Sequence, residues 1–486
     1  MSRFSIFVAS AVVFAFALTA TAGTVPKTKR TSTLPVTTAS PKALDLYQKA
    51  TIDYENLQLD RALETWRSAV KEDPKFALAW IEIAFNSREP QEQKNAMAQA
   101  NSLATDVTPG ERLFIKWLSS VREDDYVTGI AAMNDLIALY PKDKRMLMRA
   151  ASWLFAQQSY QPTERMLQRA LAVDKNYPPA LNDLAYVYAY MGEFPKAFEA
   201  MERYVKASPA QPNPEDSYAE ILRLSGDFPG ALKHYRAALK IDPAFVSSQL
   251  GIADTYALMG DQIHAREEYQ KAIPHAENEA DRLDYMRQQA TTWVRENKLE
   301  DADRAFTETA KAAHDKGFDL QEARTLREQS LYQPDDSVAL KLLEQAEGAL
   351  GHNRHLSQTD REEERARILR CRVTRATHAG NEKHAAKALE ELAKMSSRSR
   401  SKVIQLSYQA ALGANLAAAG KYADAIPHLQ EDLDDPYSLD LLSRSLKENG
   451  DMNEMHVVET KLRRLNTPTI EQALVVIPAR ARPPVH

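Results

Sequence analysis

The densest concentration of chemically capable side chains lies between Arg365 and Lys402, where eleven lysines and arginines face only Glu382, Glu390 and Glu391. At helical spacing Arg365, Arg372 and Arg375 share one face, and Arg398 and Arg400 follow at the end of the run. Such a stripe could receive an acidic protein, a glycan or nucleic acid. Equally, the preceding Arg-Glu-Glu-Glu and the acidic residues 431–435 could neutralise it within the fold. The other candidates are weaker. His352 and His355 lie three apart in a Gly- and Asn-containing stretch, and His378 and His384 lie six apart. Metal sites use tighter sets of three or four ligands, so no metal is expected. Cys371, the sole cysteine, cannot form a disulfide within the chain and has no His or Asp partner at catalytic spacing. It reads as a packing residue. The acid pairs Asp124-Asp125, Asp335-Asp336 and Asp434-Asp435 sit where helices should begin, and Asp favours such caps. There is no His-Glu-x-x-His, phosphate-binding Gly loop, Gly-x-Ser-x-Gly or calcium-binding Asp ladder. No catalytic residue and no cofactor are expected.

The bulk composition agrees. A net charge of −5 over 486 residues excludes general nucleic-acid binding, which needs a basic surface. The first residues are a different material. One positive charge in residues 1–3 precedes an apolar run from Phe4 to Leu18, and Ala20-Thr21-Ala22 ends it as a small-residue cleavage pattern. Residues 1–22 therefore read as a signal peptide cleaved after Ala22, which places the mature chain in the periplasm or medium. The alternative is an uncleaved inner-membrane anchor, because Phe4 to Ala22 is just long enough to span a bilayer. The membrane would be reached through that segment only. Residues 23–42, rich in Thr, Pro and Lys, read as a flexible linker.

The elements that must position any site are helices repeated at a fixed interval. Leu184, Ala185, Tyr188, Gly192, Ala197, Met201, Tyr204 and Pro209 match Tyr218, Ala219, Leu222, Gly226, Ala231, Tyr235, Ala238 and Pro243 at a distance of 34 residues. Ile252, Ala253, Tyr256, Gly260, Ala265, Tyr269 and Ala272 form a third copy. Apolar residues fall at helical spacing, a Gly ends the first helix of each unit and a Pro follows the second. Each unit is thus an antiparallel helix pair. Ala185, Ala219 and Ala253 leave room for a neighbouring helix.

This pattern resembles the tetratricopeptide repeat. Units begin near 43, 77, 110, 144, 178, 212 and 246, so residues 43–279 form a regular array of about seven repeats. The third unit sets Trp117 where a small residue normally sits, and its helix pair should be splayed or rotated. Residues 280–465 hold about five degenerate units, with a longer loop from Gly348 to Asp360, and 466–486 read as a disordered tail. The expected fold is all-α, a solenoid of about twelve antiparallel helix pairs with no room for a catalytic domain.

The resemblance implies a concave groove lined by the first helix of each pair. Carried onto this chain, its wall comprises Ser152 and Phe155, then Asn182, Tyr186 and Tyr190, then Asp216, Glu220 and Arg223, and finally Asp254. Met148 and Leu250 complete it. Aromatic anchors and carboxylates with one Arg suit an extended or helical peptide bearing positive charge. The Lys and Asn set with which some members clamp a terminal carboxylate is absent from these positions. The resemblance therefore implies a non-enzymatic scaffold of the cell envelope that holds a protein partner. The alternative is an accessory factor for envelope glycans or polymers, working through the C-terminal units.

Overall fold

Every apolar period read from the sequence closes as a helix in the computed structural model, which describes residues 32–352 and 356–482. The export segment at 1–22 lies outside the described residues. Seven pairs come first: α1 (Pro41–Glu55) with α2 (Leu59–Glu72), α3 (Ala77–Asn86) with α4 (Pro90–Ser102), α5 (Pro109–Arg122) with α6 (Tyr126–Leu139), α7 (Lys144–Ala156) with α8 (Tyr160–Val173), α9 (Pro178–Tyr190) with α10 (Phe194–Ala207), α11 (Asn213–Ser225) with α12 (Phe228–Ile241), and α13 (Val246–Met259) with α14 (Gln262–Ala272). Five more follow: α15 (Glu279–Arg295) with α16 (Leu299–Asp315), α17 (Asp319–Leu331) with α18 (Asp336–His352), α19 (Gln358–His378) with α20 (Glu382–Arg398), α21 (Lys402–Ala418) with α22 (Tyr422–Leu429), and α23 (Pro436–Asn449) with α24 (Met452–Arg463). A π-helical turn at Gln472–Val476 leads into α25 (Ile477–Ala481). No strand occurs among the described residues. The fold is an all-α superhelical solenoid of twelve helix pairs.

The later units are irregular because their helices are longer. First helices start at 279, 319, 358, 402 and 436, and α19 runs 21 residues. The extra turns displace the 34-residue register. Helix α18 continues to His352 and α19 begins at Gln358, so the expected long loop from Gly348 to Asp360 is a short connection.

Seam positions behave as their size requires. Ala185, Ala219 and Ala253 are fully buried, and Gly226 and Gly260 end their helices at φ 93° and 90°. Leu57, Asp124, Gln158 and Asn297 take the same left-handed turn in other units without a glycine. Gly251 on α13 lies flat against the buried Tyr235 ring of α12, and a Cβ there would penetrate that ring. Gly251→Ala is expected to lower stability by about 1–3 kcal/mol, read as a shift in the urea midpoint.

Trp117 does not splay its own pair. It is buried, edge-on to Phe114 and to Trp153 of the next unit, with ring centroids 5.9 and 6.4 Å away. Gly129 on α6 lets that helix approach Val121 and the Trp117 carbonyl. The looser joint lies between α6 and α7, where Trp153 wedges against Tyr126 at 6.0 Å.

Two segments read as flexible are ordered. Residues 33–39, assigned by sequence to the linker, strap the first and third units and the start of the fourth together. The Leu34 amide donates to Asp143 Oδ2 at 2.8 Å, the Thr37 amide and hydroxyl both donate to the buried Glu111 at 2.6 Å, and Thr38 and the Ala39 amide donate to Asp73. Their Thr content reads as linker composition, yet it satisfies buried carboxylates. The tail is likewise built in through residue 482. Ile470, Val475, Val476 and Ala479 are buried against α15, α23 and α24, and Arg295 donates to Gln472 Oε1 at 2.6 Å and to the Thr469 carbonyl at 3.2 Å. A terminal repeat must cover its apolar outer face, and this segment does so.

The array coils tightly enough that its second turn stacks on its first. Arg88 pairs with Asp281 at 2.5 Å, and Arg122 with Asp360 at 3.1 Å. The Thr359 hydroxyl donates to the Val121 carbonyl at 2.6 Å, the Lys402 amide to Gln157 Oε1 at 3.2 Å, and the Tyr160 hydroxyl to Asp434 Oδ2 at 2.7 Å. Asn466 reaches the Leu224 carbonyl at 3.2 Å. These contacts join units six to seven places apart and are polar throughout.

Candidate functional site

The inner face of α9, α11 and α13 supplies the first cavity, of about 350 Å³. A residue on a first helix recurs at the same height one repeat later, so Tyr186 and Glu220, 34 apart, meet: the hydroxyl donates to Glu220 Oε2 at 2.7 Å. Glu220 also accepts from Arg223 Nη2 at 2.9 Å, and Arg223 Nη1 donates to Asp254 Oδ2 at 2.8 Å. Tyr269 holds the other Asp254 oxygen, and Ser248 donates to Asp216 Oδ1 at 2.6 Å. Leu57 from the first unit and Gln288 from α15 close the far wall.

This wall is acidic and incompletely satisfied. Asp216, Glu220 and Asp254 line it with Arg223 alone as counter-charge. Burial pushes the Asp216 carboxyl up to about 7 and that of neighbouring Asp183 up to about 6, against the partial relief given by Ser248 and Ser152 respectively. Asp254 is also raised by burial, opposed by Arg223. Three buried atoms on side chains lining this cavity have no hydrogen-bond partner: Asn182 Oδ1, Arg223 Nε and Gln288 Oε1, the first two on residues only 5% and 4% exposed. Buried polar groups are ordinarily paired, so these orphans, two acceptors and one donor, mark a surface suited to an incoming amide.

Asn182, Tyr186, Asp216, Glu220, Arg223, Asp254 and Leu250 are thus brought together as the sequence placed them. Ser152 touches their edge, donating to Asp183 Oδ2 at 3.1 Å. Tyr190 and Phe155 belong elsewhere. Tyr190 stacks on Tyr160 at 5.7 Å and meets Phe155 edge-on at 5.6 Å, facing a second cavity between the two turns. Met148 lines a third cavity, near Arg149 and Glu82. Asp183, Asn213 and Gln288 were missed, and no repeat position marks them.

The basic stripe is neutralised from inside. Arg365 pairs with Glu347 at 3.0 Å and Glu391 at 3.1 Å; Arg372 pairs with Glu347 at 2.7 Å. Arg375 pairs with Asp336 at 3.2 Å and donates to the Ser330 and Leu331 carbonyls. Arg370 is bound by Asp432 and Asp435, members of the acidic run at 431–435. Arg398 and Arg400 are exposed at the end of α20 and do not extend that stripe. The acid pairs act as caps: Asp125 accepts from the Thr128 amide and Asp435 from the Ser438 amide. Cys371 is half-buried on α19, its thiol pushed up by burial, and His378 is held by Asp336 at 2.6 Å. Among the described residues no cluster could hold a metal ion, and no helix is long and apolar enough to cross a membrane.

Comparison with known proteins agrees with this geometry at one place in the chain. The family description "TPR repeat" matches residues 219–260, which span α11 to the end of α13. The chain carries tetratricopeptide repeats. Among solved structures, the chain is similar to one in the APC/C hetero-tetramer Cut9-Hcn1, at 15% identity over 83% of this chain and 76% of that one, with a TM-score of 0.43. A tetratricopeptide repeat protein from Parabacteroides merdae aligns at 13% identity over 62% and 99% of the two chains, with a TM-score of 0.36. YrrB, titled a TPR protein with an unusual peptide-binding site, aligns at 15% identity over 43% and 96%, with a TM-score of 0.26. No curated protein matches the tetratricopeptide chain.

Proposed function

We propose that this protein is a non-enzymatic scaffold of the cell envelope, which holds a partner peptide or helix in the cavity formed by α9, α11 and α13. The observation that carries the reading is the acidic wall of Asp216, Glu220 and Asp254 with the orphaned Asn182 Oδ1 and Arg223 Nε beside it. A lysine or arginine of the partner would balance the carboxylates, while the partner's backbone amide would satisfy those two orphans. Pre-organised helices spare the cost of ordering the site on binding. The cell-envelope location rests on the export pattern of residues 1–22. The alternative of a glycan-associated factor has less support, because Arg365, Arg372 and Arg375 are engaged by carboxylates of the array itself.

Binding should depend on pH with a definite sign. The raised Asp216 is protonated at low pH in the free protein, and a cationic side chain needs it ionised. Affinity for a lysine-bearing peptide is therefore expected to rise about tenfold between pH 6 and pH 8. The free protein should behave oppositely. A raised carboxylate contributes stability that is full below its unfolded value and is lost as pH rises through about 7. Urea unfolding of the free protein between pH 5 and pH 8 reads the stability, and titration with a panel of lysine-bearing peptides and their acetyl-lysine forms reads the affinity: preference for the charged form, growing with pH, supports the acidic groove. Equal binding of the two forms at every pH sinks it.

A further inference from the structure

A cavity of about 380 Å³ lies where the second turn stacks on the first. Tyr160 and Tyr190 close one side, the inner faces of α17 and α19 form another, and the chain from Leu465 to Gln472 runs beneath. Its charges are not evenly matched. Arg327 is satisfied by the fully buried Glu364 at 2.6 Å, and Arg370 by Asp432 at 3.2 Å and Asp435 at 2.5 Å. Arg367 has only Glu364 at 3.4 Å, and that carboxylate is shared with Arg327 and with Arg324 at 3.6 Å. Gln472, 1% exposed and lining the same cavity, accepts from Arg295 through Oε1 and leaves its Nε2 without a partner. One charged and one neutral donor thus face the cavity short of an acceptor, a pairing that suits a carboxylate.

Acids line the same cavity. Asp432 and Asp435 flank Arg370, Asp434 lies in the same run, Glu471 lies 3.9 Å from Arg327, and burial holds Asp432 up at about 6. A plain anion would meet these acids, and a plain cation would meet the arginines. A ligand carrying both charges meets neither penalty. An adjoining apolar recess of about 250 Å³ shares Leu331, Cys371 and Tyr437 with the main cavity and extends between Ala410, Ala414 and Leu441. We infer that this inter-turn cavity binds a small zwitterion with an apolar side chain, its carboxylate on Arg367 and Gln472 and its ammonium toward Asp432 and Asp434. The volume suits a free amino acid or a dipeptide. This site is separate from the groove on α9, α11 and α13.

Calorimetric titration of the intact chain with leucine, alanyl-leucine, N-acetyl-leucine and leucinamide tests the assignment. Leucine or the dipeptide should bind about tenfold or more tightly than both the acetylated and the amidated compounds, each of which lacks one charge. Whichever of the first two binds better identifies the source as free amino acid or peptide. Arg367→Gln, shown to be folded at the assay temperature by its urea midpoint, should weaken binding by a similar factor, and Gln472→Glu, which keeps the acceptor for Arg295, should do so by setting a carboxylate against the ligand's own. Equal binding of a singly charged analogue, unaltered binding by both variants, or no heat from any of the four compounds at millimolar concentration overturns the inference.

Discussion

Arg223→Met is expected to lower the unfolding free energy by about 3–5 kcal/mol, the usual consequence of removing one partner from a buried ion pair. Arg223 is 4% exposed and joins Glu220 to Asp254, itself 9% exposed. Without it, Asp254 keeps only the Tyr269 hydroxyl as a hydrogen-bond partner and stands beside Glu220 and Asp216, with the non-bonded Arg295 as its remaining cation. Two controls separate this from lost packing. Arg223→Met combined with Asp254→Asn should recover most of the loss, because no buried charge remains unpaired. The single variant should also lose less at pH 4 than at pH 8, since burial already raises the Asp254 carboxyl and protonation removes the unpaired charge. Urea unfolding at the two pH values reads both results.

Glu364→Ala should cost a similar amount, about 3–5 kcal/mol, and this cost too should shrink toward low pH, for a different reason. Glu364 is fully buried and is the carboxylate shared by Arg324, Arg327 and Arg367. Burial alone would raise it, yet Arg327, with Arg367 and Arg324, outweighs burial and holds it below the usual carboxylate range. A depressed carboxylate contributes stability that is present above its unfolded value and is lost as pH falls through its folded value. The native chain should therefore lose this contribution on acidification, and the gap between native and Glu364→Ala proteins should close toward low pH. A gap that stays constant on acidification would assign the cost to a cavity and not to the three guanidiniums.

Both networks bear on how far the sequence could be read. Arg223 and Asp254 were placed on one wall because a repeat sets equivalent residues of adjacent first helices side by side, and Tyr186 to Glu220 is that rule in a single hydrogen bond. The rule is local to neighbouring units. Nothing in it relates Tyr160 to Asp434, 274 residues away, and so the stacking of the two turns, the cavity between them and the reassignment of Tyr190 to that cavity were not legible. The same limit hid the strap. Thr37 and Thr38 have linker composition, and their partners Glu111 and Asp73 stand in other units. At the turn within each pair, Gly192, Gly226 and Gly260 signalled a left-handed residue, while Leu57, Asp124 and Gln158 adopt it with side chains that carry no such signal. The basic run was legible as charge but not as function, because Glu347 and Asp336 reach it from α18.

Site-directed photo-crosslinking shows whether the acidic cavity holds a protein partner in the cell. A benzophenone side chain in place of Leu250, which lines the acidic cavity without joining its hydrogen-bond network, would be compared in expressing cells with one in place of the exposed Lys233 on α12. The account predicts a discrete protein adduct at Leu250, absent at Lys233 and lost when Asp216→Asn and Glu220→Gln are introduced together. The adduct's crosslinked segment, read by mass spectrometry, should contain a lysine or arginine. Adducts equally abundant at Lys233, or a Leu250 adduct indifferent to the loss of both carboxylates, would contradict it.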